Sequence, residues 1–220
     1  MPIDANELTL DELAIALAPA VADSAVFDGW SNAAVDAAAQ MEGVDPDVAR
    51  LAFPGGAMDM IAAWIASIDR DMAEALPAPA LDAMGVGQRI RAMLVFRIEA
   101  LAPRHEALRR ALAIMAMPTN VARSARLGWR SADLMWRMAG DTATDLNHYS
   151  KRAILSSVYA STLAVFSQDE SEEFADTFAF LDRRLKDVAN FGKFTARFKR
   201  SDDERFSPMR LLGRLRYPAR

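Results

Sequence analysis

Cysteine is absent from the 220 residues, and with it go disulfides, thiol nucleophiles and thiolate metal sites. Histidine is nearly absent as well: His105 and His148 are the two, far apart in sequence, which leaves little for an imidazole relay. No Glu-x-x-His occurs, so the paired ligands of a di-iron helical bundle cannot be assembled. There is no Gly-rich phosphate loop either. The lone Asp145-x-x-His148 pair reads as a hydrogen-bonded cap at a helix start before it reads as a metal site. No apolar run approaches the length of a membrane span. The opening MPIDANELTL is acidic, the wrong charge for a signal or transit peptide. These absences lead to the expectation of a protein that is not an enzyme, with no catalytic residue and no metal.

What is present is ordinary in bulk and uneven in distribution. With 52% hydrophobic residues the chain can bury one good core, or one core and a small subdomain. The net charge of -4 conceals an asymmetry. From Met1 to Asp69 twelve acids face the single base Arg50, a charge of -11; from Asn190 to Arg220 nine bases face three acids, a charge of +6. The two ends suit different partners.

Periodicity is helical from end to end, and no segment alternates like a strand, so the fold class is all-α with nine or ten helices. Thr9-Leu10-Asp11-Glu12 has the form of a capping box and opens a helix to about Ser24. Ser31 is positioned to cap an alanine-rich helix that Gly43 stops; Pro46 then opens a short helix ending at Phe53-Pro54-Gly55-Gly56. That is the outline of a helix-turn-helix. A helix over 57–75 follows, and Pro77-Ala78-Pro79 marks a boundary. Beyond it Ile90, Met93, Leu94, Ile98 and Leu101 make one buried face, Pro103 interrupts, and Leu108, Leu112 and Met115 resume it. Pro118 is expected to start the next helix, up to Gly140, and Ser171 to cap the last. The organisation expected is a helix-turn-helix-like part over 1–76, a helical domain over 77–190 and a basic amphipathic segment over 191–220.

The connector DTATDLNHYSKR, 141–152, gathers a carboxylate at Asp145, an imidazole at His148, a phenol at Tyr149 and cations at Lys151 and Arg152. So many polar heads are expected on a surface, because burial would leave some unpaired. The i, i+3, i+4 and i+7 spacing of Asp145, His148, Tyr149 and Arg152 puts all four on one side of a helix start.

The run AGDTATDLNHYSKRAILSSVYASTLAVFSQD from Ala139, followed by DTFAFLDRRLKDV from Asp176, resembles the ubiquinone-biosynthesis accessory protein family. Looser landmarks are Met117-Pro118-Thr119-Asn120, Met135-Trp136, Gly29-Trp30-Ser31 and Phe53-Pro54-Gly55. Where eukaryotic members usually carry Trp, this chain has His148. The resemblance implies a TetR-repressor-like helical bundle, a non-catalytic lipid-binding role and a ring hydroxylase of the coenzyme Q pathway as partner. Large flexible side chains on consecutive helices read from sequence alone as packed core. The resemblance instead implies that an isoprenoid lipid or ubiquinone precursor lies among them, with Met93, Phe96, Met115, Met135, Leu155, Val158, Phe166 and Phe178 as candidates for its walls. By the same resemblance Met135, Trp136, Asp145, His148, Tyr149 and Arg152 form the surface offered to the hydroxylase.

Phe191, Phe194 and Phe198 recur at 0, 3 and 7, flanked by Lys193, Arg197, Lys199 and Arg200, the pattern of an interfacial helix on anionic lipid. The expectation is a homodimeric protein of the cytoplasm, peripheral to the inner membrane, with no cofactor beyond its lipid. A TetR-type regulator is the competing reading. DNA binding, however, draws its affinity from cations, and the candidate recognition helix holds Arg50 alone in an acidic segment, so no nucleic-acid partner is expected.

Overall fold

In the computed structural model, residues 3, 7–144 and 146–203 are described, apart from the side chains of 191–203, and all regular structure among them is helical. α1 (Leu10–Asp28) opens on the capping box: the Glu12 amide donates to Thr9 Oγ1, and the Thr9 amide donates to the Glu12 carboxylate. α2 (Asn32–Glu42) ends on Gly43 at φ 73, a left-handed position that glycine takes without strain. Ser31 does not cap α2; its hydroxyl donates back to the Asp28 carbonyl at 3.0 Å, spent on the end of α1 instead. Asp45 accepts from the Asp47 amide at 2.8 Å and Pro46 holds the first turn of α3 (Pro46–Leu51).

α4 (Ala57–Ala75) has the span its periodicity implies, burying Met60, Ile61, Trp64 and Ile68. The proline boundary that follows contains a short helix, α5 (Ala78–Asp82). α6 (Val86–Leu101) gives way at Pro103 to a 3-10 turn over Ala102–Arg104, and α7 (His105–Met115) continues. α8 (Val121–Met138) begins three residues later than Pro118 suggests. The reason lies in the turn before it: the Asn120 side chain donates to the Ile114 carbonyl and Ser124 Oγ to that of Met115, tying 116–120 to the end of α7.

Gly140, at φ 88, closes α8, and α9 (Leu146–Phe166) follows. The last helix is not capped by Ser171 alone. A 3-10 turn over Glu172–Phe174, with Glu173 and Phe174 at positive φ, precedes α10 (Ala175–Asp203). The Asp169 carboxylate takes both the amide and the hydroxyl of Thr177 at 2.8 and 2.5 Å, and Ser171 Oγ accepts from the Asp176 amide. α10 runs unbroken across 190–191.

α1 packs on α2 and α4, α4 meets α6, α7 and α8, and α8, α9 and α10 stack in succession. One buried cluster runs from Leu13 on α1 to Leu181 on α10. Trp30 joins the N-terminal helices to the rest: its indole N–H donates to the Ala107 carbonyl at 3.0 Å and its ring lies 5.3 Å from that of Trp64. Burying one such side chain stabilises the fold by about 1.5–3 kcal/mol.

Candidate functional site

A cavity of about 540 Å³ lies among α4, α6, α7, α8 and α9, within the size range of small-molecule sites. Four helices present it the same helical stripe: Ile61, Trp64, Ile65 and Ile68 on α4; Leu108, Ala111, Leu112 and Met115 on α7; Val121, Ser124, Ala125 and Gly128 on α8; Ser156, Tyr159, Ala160 and Leu163 on α9. Each set repeats i, i+3, i+4, i+7, so each stripe is one helix face. The α8 and α9 stripes are dominated by small residues. The space between them stays open because Ser124, Ala125, Gly128, Ser156 and Ala160 have too little volume to fill it.

Of the eight side chains expected to contact lipid, Met115 lines this cavity. Met93, Met135, Leu155, Val158 and Phe166 are buried in the surrounding core, and Phe96 and Phe178 are half-buried against it. The candidates named from the sequence are large, adaptable side chains. Those residues fill volume, whereas a cavity forms where they are missing.

One wall of the cavity is polar. Arg97 of α6 is 1% exposed; Nη1 pairs with Asp69 of α4, and Nη2 donates to Ser131 Oγ of α8 at 3.3 Å. Ser131 Oγ donates onward to Asp69 at 3.0 Å, and the guanidinium carbon stands 4.9 Å from the Tyr159 ring centre. Burial works against the charge on Arg97, but Tyr159 and Asp69 outweigh it, and its pKa stays above the ordinary arginine value. No motif in the sequence singles out this cluster. A signal existed: Arg97 falls in register with Ile90, Met93, Leu94, Ile98 and Leu101, a charge on a buried stripe.

The connector splits into two layers. Tyr149 is 60% exposed and Leu146 86%, while His148 is half-buried with Nδ1 3.0 Å from the Ala143 carbonyl oxygen. Arg152 is not on the surface. It is 2% exposed, donating from Nε to Asp133 at 2.5 Å and from Nη1 to Asp141 at 3.1 Å and to the His148 carbonyl at 3.0 Å. Its position on the stripe of Leu155, Tyr159, Thr162 and Phe166 turns it inward, where two carboxylates satisfy it. Lys151 and Arg152 hold the Asp141 carboxyl below the ordinary carboxylate range; Lys151 has the larger effect, and burial opposes both.

Met135 is fully buried, which removes it from any docking surface, and half-buried Trp136 donates its indole N–H to the Lys151 carbonyl at 3.0 Å. Asp145 lies outside the described residues. Phe191, Lys193, Phe194, Arg197, Phe198, Lys199 and Arg200 fall within α10, with their side chains outside the described part. Trp129 joins the cavity to the exposed patch: it lines the cavity, and its ring lies 6.2 Å from that of Tyr149.

Residues 121–192 match the COQ9 family model. The chain is 41% identical over 105 residues to the rat mitochondrial ubiquinone biosynthesis protein COQ9, covering 48% of this chain and 34% of that one. To the human protein the identity is 40% over 105 residues, 48% and 33% of the two chains. A Xenopus tropicalis relative is 27% identical over 171 residues, 74% of this chain and 54% of its own. The match thus spans about a third of the rat and human proteins. A TetR transcriptional regulator from Nitrosomonas europaea superposes with a TM-score of 0.61 at 20% identity, covering 79% of this chain and 98% of that one. By these matches the stretch that carries Trp129, Tyr149, Arg152 and the α8–α9 side of the cavity is similar to the COQ9 family, and the described helices adopt a TetR-like fold.

Proposed function

We propose that this protein acts in ubiquinone biosynthesis as a non-catalytic carrier, holding a polyprenylated precursor in its cavity and offering it to a ring hydroxylase at the membrane. The single observation that carries the reading is the apolar cavity of about 540 Å³ whose wall residue Trp129 lies against exposed Tyr149. A ligand in the cavity then sits one aromatic ring away from a surface rich in the side chains that interfaces use. No described helix is long and apolar enough to cross a membrane, so membrane contact rests on the basic end of α10 and makes the protein peripheral to the cytoplasmic face. Lipid extraction of the purified protein followed by mass spectrometry tests the carrier role. The expected result is a bound long-chain isoprenoid; recovery of none, together with no uptake of added prenyl lipid, would refute it.

The TetR likeness favours a second reading, a ligand-sensing regulator. Against it, Arg50, the one base of α3, is held by Asp36 at 2.6 Å and Asp47 at 2.9 Å, which leaves phosphate little to bind. A gel shift on the upstream region of its own operon separates the two, and no shift is expected.

A further inference from the structure

The acidic end of the molecule leaves large apolar side chains in water. α2 folds back along α1 and turns at Gly43 into α3, so Met41 and α3 return to the end of α1 that carries Leu10. Leu10, Met41 and Leu51 are exposed, the last at 62%, and so is Val48, one turn before Leu51 on α3. Of the six residues of α3 only Ala49 is buried. The acids Asp11, Glu42, Asp45 and Asp47 stand beside these side chains in sequence, and the single base, Arg50, is already held by Asp36 and Asp47. Such a face repels an anionic membrane or a nucleic acid. It suits a basic segment that brings apolar side chains of its own.

This chain carries such a segment. Beyond Asp203, Arg205, Arg210, Arg214, Arg216 and Arg220 are opposed by Glu204 alone, while Met209, Leu212 and Leu215 recur at every third residue, with Leu211 four before Leu215. We propose that residues 209–217 of a second copy of this chain dock on the face made by Leu10, Met41, Val48 and Leu51, with their arginines set against Glu42, Asp45 and Asp47. The contact is independent of the cavity and of the carrier reading.

The course of α10 makes the segment a neighbour's. Phe174 and Phe178, at its start, lie with Ile98 and Ala102, beside the turn from which Arg104 reaches Asp23 of α1. Asp182 then meets Arg91, two turns back along α6, so α10 leads away from the N-terminal helices. From Ala175 to Asp203 it advances about 40 Å, whereas residues 204–208 span at most about 18 Å. The segment therefore starts far from the acidic face of its own chain and is free to meet that of another.

The absence of cysteine makes cross-linking a clean test. Full-length chains carrying Gln40→Cys, at an exposed site beside Met41, are mixed with full-length chains carrying Gly213→Cys and treated with a short bismaleimide. The expected product is a covalent dimer with one chain of each kind, its yield falling sharply in about 1 M salt, where charges are screened beyond about 3 Å. Arg210→Glu/Arg214→Glu/Arg216→Glu in the second chain should lower the yield about tenfold. Adding Glu42→Lys/Asp47→Lys to the first should restore it, which a folding defect could not do. No heterodimer, or a yield indifferent to the charge reversal, overturns the proposal. So does a Gln40→Cys/Gly213→Cys chain that closes only on itself. An arginine variant that loses anionic vesicles, when wild type gives no cross-link, assigns the segment to the membrane and overturns it as well.

Discussion

Tyr149 and Arg152 stand three residues apart at the start of one helix and have opposite environments. Arg152 is enclosed by Asp133 and Asp141, whose side chains are 27% and 5% exposed, and its removal leaves Asp133 to Arg137 and Asp141 to Lys151. Arg152→Ala should cost about 1.5–3 kcal/mol in urea unfolding, the weight of lost hydrogen bonds between charged groups rather than of an uncompensated buried charge. Tyr149→Ala, at an exposed site whose ring contacts are Trp129 and His148, should change stability by no more than about 0.5 kcal/mol and instead weaken capture of the hydroxylase. Asp169 adds a pH dependence. Burial alone would raise its pKa, but hydrogen bonds from Ser171 and Thr177 outweigh this and hold it at about 2, below its ordinary 3.8. A depressed carboxylate stabilises the fold fully above its unfolded-state value and loses that contribution as pH falls toward the folded one. Wild type should therefore lose stability between about pH 4 and pH 2, and denaturation across that range should show a shallower loss for Asp169→Asn.

At the scale of the helix, α8 is shaped by what it lacks. An added Cβ at Gly128 would meet nothing within 4 Å, because the position opens on the cavity. Gly128→Ala should raise stability by up to about 1 kcal/mol through helix propensity alone. Gly128→Leu projects a full side chain into the same space, so its extracts should carry less lipid than wild type while the melting temperature holds; undiminished lipid would mean that the ligand lies elsewhere. α10 offers the complementary test. Replacing Lys193, Arg197, Lys199 and Arg200 with Glu should abolish cosedimentation with anionic vesicles and leave neutral vesicles little affected, since each cation near such a surface contributes about 1 kcal/mol. Unchanged sedimentation with anionic vesicles would assign the contact to another surface.

For the whole molecule, cavity and fold are thermodynamically linked. A ligand that binds only the folded chain stabilises it by about 2.7 kcal/mol at a hundredfold excess over Kd. For a chain of this length that corresponds to a melting temperature roughly 5–10 °C higher with lipid than without. Scanning calorimetry of delipidated and reloaded protein measures it, and coincident melts would argue that nothing occupies the core. The N-terminal helices share in that unit, because Trp30 bonds to α7 and Arg104 reaches Asp23 at 2.6 Å. Their acidity works against phosphate binding, and their likeness to a TetR regulator is one of fold alone.

Local rules carried much of the fold. The capping box at Thr9, the glycine stops at Gly43 and Gly140, and the stripe of α4 over Ala57–Ala75 are decided within a few residues of chain, and they appear where the sequence puts them. Local rules misplaced a boundary where a side chain turned back to the helix before it: Ser31 donates to the Asp28 carbonyl at the end of α1, and Asn120 delays α8 by bonding to the end of α7. The helical fold class, the opposite charge of the two ends and the likeness of the connector to that of the ubiquinone accessory proteins are all legible in the order of residues. The place of the cavity and the enclosure of Arg97 and Arg152 follow from how the helices pack. A cavity is a deficit of volume shared by five helices, and a buried cation is tolerable only once Asp69, Asp133 and Asp141 arrive from other elements to meet it.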